Sequence, residues 1–317
     1  MVPQPRTEAT APLWNRRHWL AGAAAVTGAL MTRSAPASVI DPAEGWVDSH
    51  VHVWTNDLIS YPIIDRFKPE DMVPATFPPT ELLRHAATGG VSRIVLVQMS
   101  YYGTDNRYML EAMRTAPGTF GGIGIVDEAD DPAAAMRRLA AQGVRGFRIV
   151  PRDNTPEQWL RSEGAAAMWR CATEEGLAMC ALINPPHLHS LARMLKDFPD
   201  TRVVIDHFAR VGIDGQIRAD ELDLLCSLAR WKGVHVKISA YYALGAKQGP
   251  YTDLIPMIRK VIDAYGPERC MWGSDAPYQV MEGHTYADSI ALLTDRMELT
   301  AHERECVLRG TATRLFF

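Results

Sequence analysis

Trp46-Val47-Asp48-Ser49-His50-Val51-His52-Val53 is a short β-branched run that carries two histidines at its far end. Side chains two apart on a strand share a face, so His50 and His52 point the same way where such a strand stops. Seven further runs of this kind follow: Arg93–Gln98, Gly121–Val126, Val144–Val150, Ala178–Ile183, Arg202–Asp206, Val234–Ser239 and Arg269–Ser274. Between them lie stretches with helical spacing of apolar residues, Pro79–Thr88, Arg107–Thr115, Pro132–Gln142, Ala165–Glu175 and Ser190–Phe198. Asp131-Pro132 places a capping side chain before a proline, a start signal for the third of these. Eight β runs alternating with helices predict an α/β chain with a parallel sheet, closed as a (β/α)₈ TIM barrel rather than spread as an open doubly wound sheet. No Gly-x-Gly-x-x-Gly turn follows the first run, so a dinucleotide fold gains no support.

The N-terminal segment reads differently. Asn15-Arg16-Arg17-His18-Trp19-Leu20 precedes a small-residue apolar run, Ala21 to Met31, and Ala35-Pro36-Ala37 supplies small residues at a cleavage site. This is the pattern of a twin-arginine export leader, and its apolar part is shorter than the roughly 20 residues a membrane span needs. The expectation is a signal peptide over residues 1–38, a single barrel domain over 39–317, and a periplasmic or otherwise exported protein without stable membrane insertion.

Composition narrows the field. The chain has 317 residues, 33 Lys and Arg against 37 Asp and Glu, and no basic stripe of the kind that binds nucleic acid. A small-molecule substrate is the expected partner, and the sequence leaves the oligomeric state open. The five cysteines, at 171, 180, 226, 270 and 306, show neither disulfide nor zinc-site spacing. They read as small buried hydrophobes.

In a barrel, function collects at the C-terminal ends of the strands. Besides His50 and His52, the sixth run ends Ile205-Asp206-His207, and the eighth ends Trp272-Gly273-Ser274-Asp275-Ala276-Pro277. A lone histidine is ordinarily structural, and an aspartate before a proline ordinarily caps a turn. The four together, His50, His52, His207 and Asp275, point instead to a catalytic cluster. A carboxylate in reach of a water can take its proton, while imidazoles either donate to a developing oxyanion or hold a metal.

At these residues the chain resembles the amidohydrolase-related superfamily, and within it the lactonase branch that includes 2-pyrone-4,6-dicarboxylate and sugar-acid lactonases. The matching stretches are Val47–His52, Val95–Gln98, Gly103-Thr104-Asp105-Asn106, Val144–Arg148, Ile205–His207, Val236–Ser239 and Trp272–Pro277, spanning nearly all of the chain after the leader. The resemblance implies a hydrolase that opens a lactone or related ester, with Asp275 as general base and His50, His52 and His207 around it. It also implies that arginines near the fourth strand end, Arg148 and Arg152, bind an anionic substrate together with Gln98, Ser100 and Tyr101. Alternation puts Arg145 and Arg148 on opposite faces, with Arg148 nearer the mouth. Tyr61, Tyr101, Tyr102, Tyr241 and Tyr242 could line the pocket. Where dicarboxylate lactonases place an arginine after the Lys-x-Ser strand, this chain has Ala240-Tyr241-Tyr242-Ala243.

Metal-using relatives add a histidine at the end of strand five. Here that run ends Ile183-Asn184-Pro185-Pro186, with His187 and His189 only beyond the prolines. The expectation is therefore no obligatory cofactor, or one divalent ion, Zn or Mn, held by His50, His52, His207 and Asp275. Two alternatives stand beside the lactonase: a metal-dependent decarboxylase of the same superfamily, and a barrel that binds a ligand without turning it over.

Overall fold

A computed structural model describes residues 44–151 and 154–317. The leader expected at 1–38 and Arg152 lie outside them. Eight strands pair in parallel and in chain order: β1 (Trp46–Val51), β2 (Val91–Val97), β3 (Phe120–Gly124), β4 (Val144–Ile149), β5 (Ala178–Ala181), β6 (Arg202–Ile205), β7 (Val234–Ser239) and β8 (Cys270–Gly273). The ladder closes at one end. Val51 bridges Ala276, the Asp275 N–H donates to His50 O over 2.8 Å, and the His52 N–H donates to Ala276 O over 2.9 Å. This is the barrel the alternation predicts.

A helix follows each strand: α1 (Pro79–Thr88), α2 (Arg107–Thr115), α3 (Pro132–Ala140), α4 (Glu163–Glu175), α5 (Leu188–Asp197), α6 (Ala219–Ser227), α7 (Ile255–Tyr265) and α8 (Tyr286–Ala291), with α9 (Ala301–Glu305) and α10 (Thr311–Phe316) at the end. Asp131 caps α3 by accepting from the Ala134 N–H. Buried residues on the helices, such as Leu82, Met168, Leu191 and Ile258, pack in the large cluster outside the strands. Inside, Val47, Val95, Ile123, Cys180, Val204 and Met271 form a separate cluster with Ala312 and Phe316 of α10. Gly121 makes room for that plug, since a Cβ there would stand 2.9 Å from the Phe316 carbonyl oxygen.

The first strand is not regular. Val47 belongs to the interior cluster and Val51 to the outer one, although residues four apart on an even strand share a face. The register with β2 shifts between Asp48 and Val51, a bulge that rotates the strand end. That rotation decides where His50 and His52 go.

Candidate active site

Four side chains singled out in the sequence come together at the closed end of the barrel. The Nε2 atoms of His50 and His52 lie 3.6 and 3.4 Å from Asp275 Oδ1, and His207 Nε2 lies 3.8 Å from Asp275 Oδ2. All four residues are at least 95% buried, so their charges meet little bulk water. Tight packing sets the approach of β8 to β1. A Cβ on Gly273 would fall 2.9 Å from His50 Cβ, so only glycine admits this spacing. Asp48 ties the two strand ends by accepting from the backbone N–H groups of His50 and Ser274 and from the Tyr286 hydroxyl. Burial pushes its carboxyl up to about 6 despite those bonds.

The backbone is unusual at both Asp275 and His207. Asp275 has φ 66°, and His207, Phe208, Ala209 and Arg210 have φ of 52°, 53°, 52° and 59°. Left-handed residues other than glycine cost roughly 1–2 kcal/mol each. Such runs persist where the surroundings over-determine them, commonly at functional sites. The strand ends were expected to run on to Asp206 and Ser274. They stop earlier because this backbone leaves the ladder to aim the side chains.

Hydrogen bonding constrains the imidazole protons. His52 Nδ1 is 2.8 Å from the Val97 carbonyl oxygen, which can only accept, so Nδ1 carries the proton and Nε2 the lone pair. The Ser239 hydroxyl donates to the Lys237 carbonyl and therefore accepts, over 2.8 Å, from His207 Nδ1. His50 has a donor on each side, Arg148 Nη2 at 2.7 Å from Nε2 and Lys237 Nζ at 3.1 Å from Nδ1, with Asp206 Oδ1 3.4 Å from Nδ1. Three Nε2 atoms thus stand around one carboxylate. Neutral imidazoles in this state accept rather than donate at Nε2, so donation to an oxyanion requires their protonation.

Charges behind the cluster were not anticipated. Lys237, wholly buried, places Nζ 3.2 Å from Asp206 Oδ1 and 3.1 Å from His50 Nδ1, and Arg148 Nη2 lies 3.4 Å from Asp206 Oδ2. The signal was present: a lysine inside the apolar run Val234–Ser239, two residues from Ser239 and so on its face. Burial would raise the Asp206 carboxyl, but Lys237, His50 and Arg148 outweigh it and hold it well below the usual range. Burial, then Lys237, drives His50 well below the ordinary imidazole value. Burial takes His207 down to about 4, with Asp275 and Asp206 opposing. Burial alone would lift Asp275, yet His207 and the adjacent His52 and His50 leave it lower than a normal carboxylate. In neutral solution Asp275 is an anion and His207 is neutral.

The remaining candidates divide. Arg148 is buried at the cluster, whereas Arg145 is exposed and donates to the Ala140 carbonyl. Arg210, which charge-couples to Arg148, Asp275 and Tyr242, is a further cation there that the sequence reading missed. Gln98 spends its amide N–H groups on the Gly103 and Asp105 carbonyls, Tyr101 donates to the Asp71 carbonyl, and Ser100 opens the turn that carries Tyr101. Of the five tyrosines, Tyr242 reaches the cluster, its hydroxyl donating to Asp275 Oδ2 over 2.7 Å. Tyr241 is instead packed on Tyr251 in the core, Tyr102 bonds Thr55, and Tyr61 sits with Glu111 and Tyr108 at the surface. These three are therefore engaged elsewhere. His187 lies edge-on to Trp159 and His189 is exposed, both away from the cluster. No thiol competes as a nucleophile among the described residues near the cluster; burial pushes Cys180 up to about 12.

His50, His52 and Asp275 offer three ligand atoms within 4.8 Å of one another, as do His50, Asp206 and His207. The first set, two nitrogens and an oxygen with lone pairs facing inward, suits one divalent ion such as zinc or manganese. Arg148 contests it, because its guanidinium already meets the His50 lone pair. Among the described residues no helix is long and apolar enough to cross a membrane.

The chain is 30% identical over 247 residues to the L-fucono-1,5-lactonase of Burkholderia ambifaria, covering 75% of this chain and 82% of that one. It is 26% identical over 289 residues to the 2-pyrone-4,6-dicarboxylate hydrolase of Comamonas testosteroni, covering 86% and 90%. A solved Pseudomonas putida structure, assigned by inference as a 2-pyrone-4,6-dicarboxylic acid hydrolase, superposes with a TM-score of 0.74 at 28% identity, covering 86% of this chain and 97% of that one. The amidohydrolase family pattern matches residues 47–317, so the chain belongs to the amidohydrolase family and is a hydrolase.

Proposed function

We propose that this hydrolase opens a lactone that carries an anionic group. The observation that carries the reading is the convergence of Asp275 with the Nε2 atoms of His50, His52 and His207 inside 3.8 Å. In the proposed reaction Asp275 takes a proton from water as the oxygen attacks the lactone carbonyl. Arg148, buried beside His50, supplies positive charge for the developing oxyanion. The ring oxygen then leaves and recovers the proton from Asp275, so one water and one lactone give one hydroxy acid. A divalent ion at His50, His52 and Asp275, when bound, would polarise the carbonyl and the water. Arg210, whose charge interacts with Arg148 and Asp275, adds positive charge that suits a substrate carboxylate.

A metal-dependent decarboxylase would call for a histidine at the tip of β5. That strand runs into Asn184 and Pro185, and His187 is held against Trp159. The same geometry argues for turnover over a barrel that merely binds. Export by the twin-arginine route belongs to this proposal too, on Arg16-Arg17 and the apolar run after them. Release of protons from a panel of carboxylated and neutral lactones, read by a pH indicator with and without chelator, tests the reaction. Hydrolysis of carboxylated lactones is the expected result, and inactivity on every lactone would remove the reading.

A further inference from the structure

Tyr242 makes the one side-chain hydroxyl bond to Asp275 found among the described residues, donating to Oδ2 at 2.7 Å. Its ring is fixed by contacts with Tyr278, centroids 5.9 Å apart, and with His284, 6.1 Å apart. His284 is anchored in turn: the Gln279 amide donates to the Tyr251 hydroxyl, which is hydrogen-bonded to His284 Nδ1 over 2.7 Å. The phenol is therefore held, and its proton is committed.

A phenol has one proton and two lone pairs. With the proton given to Asp275, anything else that meets this oxygen has to be a donor. A substrate carboxylate placed there would meet a lone pair backed by the Asp275 anion, and would be repelled. A substrate hydroxyl would be accepted, and its bond strengthened by the charge behind it. The arrangement also splits the two oxygens of the base: Oδ2 is held by Tyr242, and Oδ1, toward His50 and His52, stays free to take the proton from water.

Resting on the reading of the site as a lactonase, we infer that Tyr242 determines specificity, selecting lactones that bear a hydroxyl beside the ring ester and disfavouring those with a carboxylate in that place. Arg210, whose charge interacts with Arg148 and Asp275, takes the anionic group elsewhere, so the lactone carries both a hydroxyl and a carboxylate.

The test compares a sugar-diacid lactone with the carboxylated lactone ring that lacks the hydroxyls, in the wild-type protein and in Tyr242→Phe. Phenylalanine keeps the ring and its packing, and circular dichroism checks that the variant is folded. The wild type is expected to favour the hydroxylated lactone in kcat/KM, and Tyr242→Phe to lose about ten- to a hundredfold on it, the range for a hydrogen bond to a charged group. The loss on the unhydroxylated ring is expected to be several-fold smaller, so the preference collapses. An unchanged preference in Tyr242→Phe, with both lactones still opened, would overturn the assignment and leave the lactonase reading standing. Failure of the wild type to open either would overturn both.

Discussion

Lys237 and His50, 187 residues apart in the chain, meet inside the barrel with Nζ 3.1 Å from Nδ1. The lysine is fully buried, and the Asp206 carboxylate 3.2 Å away compensates its charge. A site that seems to consist of three histidines and an aspartate thus rests on a buried ion cluster one layer deeper.

Substituting Lys237→Met should reveal that layer. It leaves Asp206 buried with Arg148 as its remaining cation, and breaking a buried pair in this way costs about 3–5 kcal/mol. The low end is expected, since Arg148 keeps one contact at 3.4 Å. Urea denaturation measures it, and the double variant Lys237→Met/Asp206→Asn should recover part of the loss.

Gly273→Ala probes the spacing of β8 and β1. The added methyl would stand 2.9 Å from His50 Cβ and 3.0 Å from His50 N, both of which belong to a packed strand. Overpacking of this kind costs about 1–3 kcal/mol. A lowered melting temperature and a lowered kcat are expected together, because the strain falls on a cluster imidazole.

Asp275→Asn should lower kcat by about 10²–10⁴-fold, the contribution of general-base catalysis. The fold is expected to survive, because asparagine tolerates the left-handed backbone that Asp275 adopts at φ 66°. Near-full activity in a folded variant would remove Asp275 from the role of base.

Stability should depend on pH through His207. Its value of about 4 in the folded chain lies below the ordinary imidazole range, so between about pH 4 and 6.5 the unfolded chain binds the extra proton. Stability then rises with pH across that window and is lost as pH falls through it, by roughly 3 kcal/mol from this residue. Denaturant midpoints from pH 4 to 7 read it, and His207→Asn should flatten the slope.

Metal affinity gives a further check. Arg148 Nη2 lies 2.7 Å from His50 Nε2, the atom an ion would need. Arg148→Ala should therefore tighten zinc binding, measured by competition with a chromophoric chelator. Unchanged affinity would show that Arg148 does not compete with an ion for His50 Nε2.

The parts of the site on strand ends were legible. His50, His52, His207 and Asp275 each follow an apolar run, and in a barrel the ends of such runs meet. Alternation put Arg145 and Arg148 on opposite faces, and only the structure showed that Arg148 is the buried one. Tyr241 and Tyr242 could not be told apart, because the strand had already ended and a loop has no fixed period. Lys237 was visible as a charge in a buried run, yet its partners were not.

Local order along the chain, a property of pattern and spacing, settled the eight-fold βα alternation and which polar residues stand at its ends. Folding in three dimensions settled the rest: the bulge after Asp48, the left-handed turn at His207, the Nδ1 partners of His52 and His207, and the pairing of Lys237 with Asp206. Those features depend on which atoms of distant strands lie within about 3 Å, the range over which hydrogen bonds act. A linear pattern carries no such distances, so only the closed barrel could specify them.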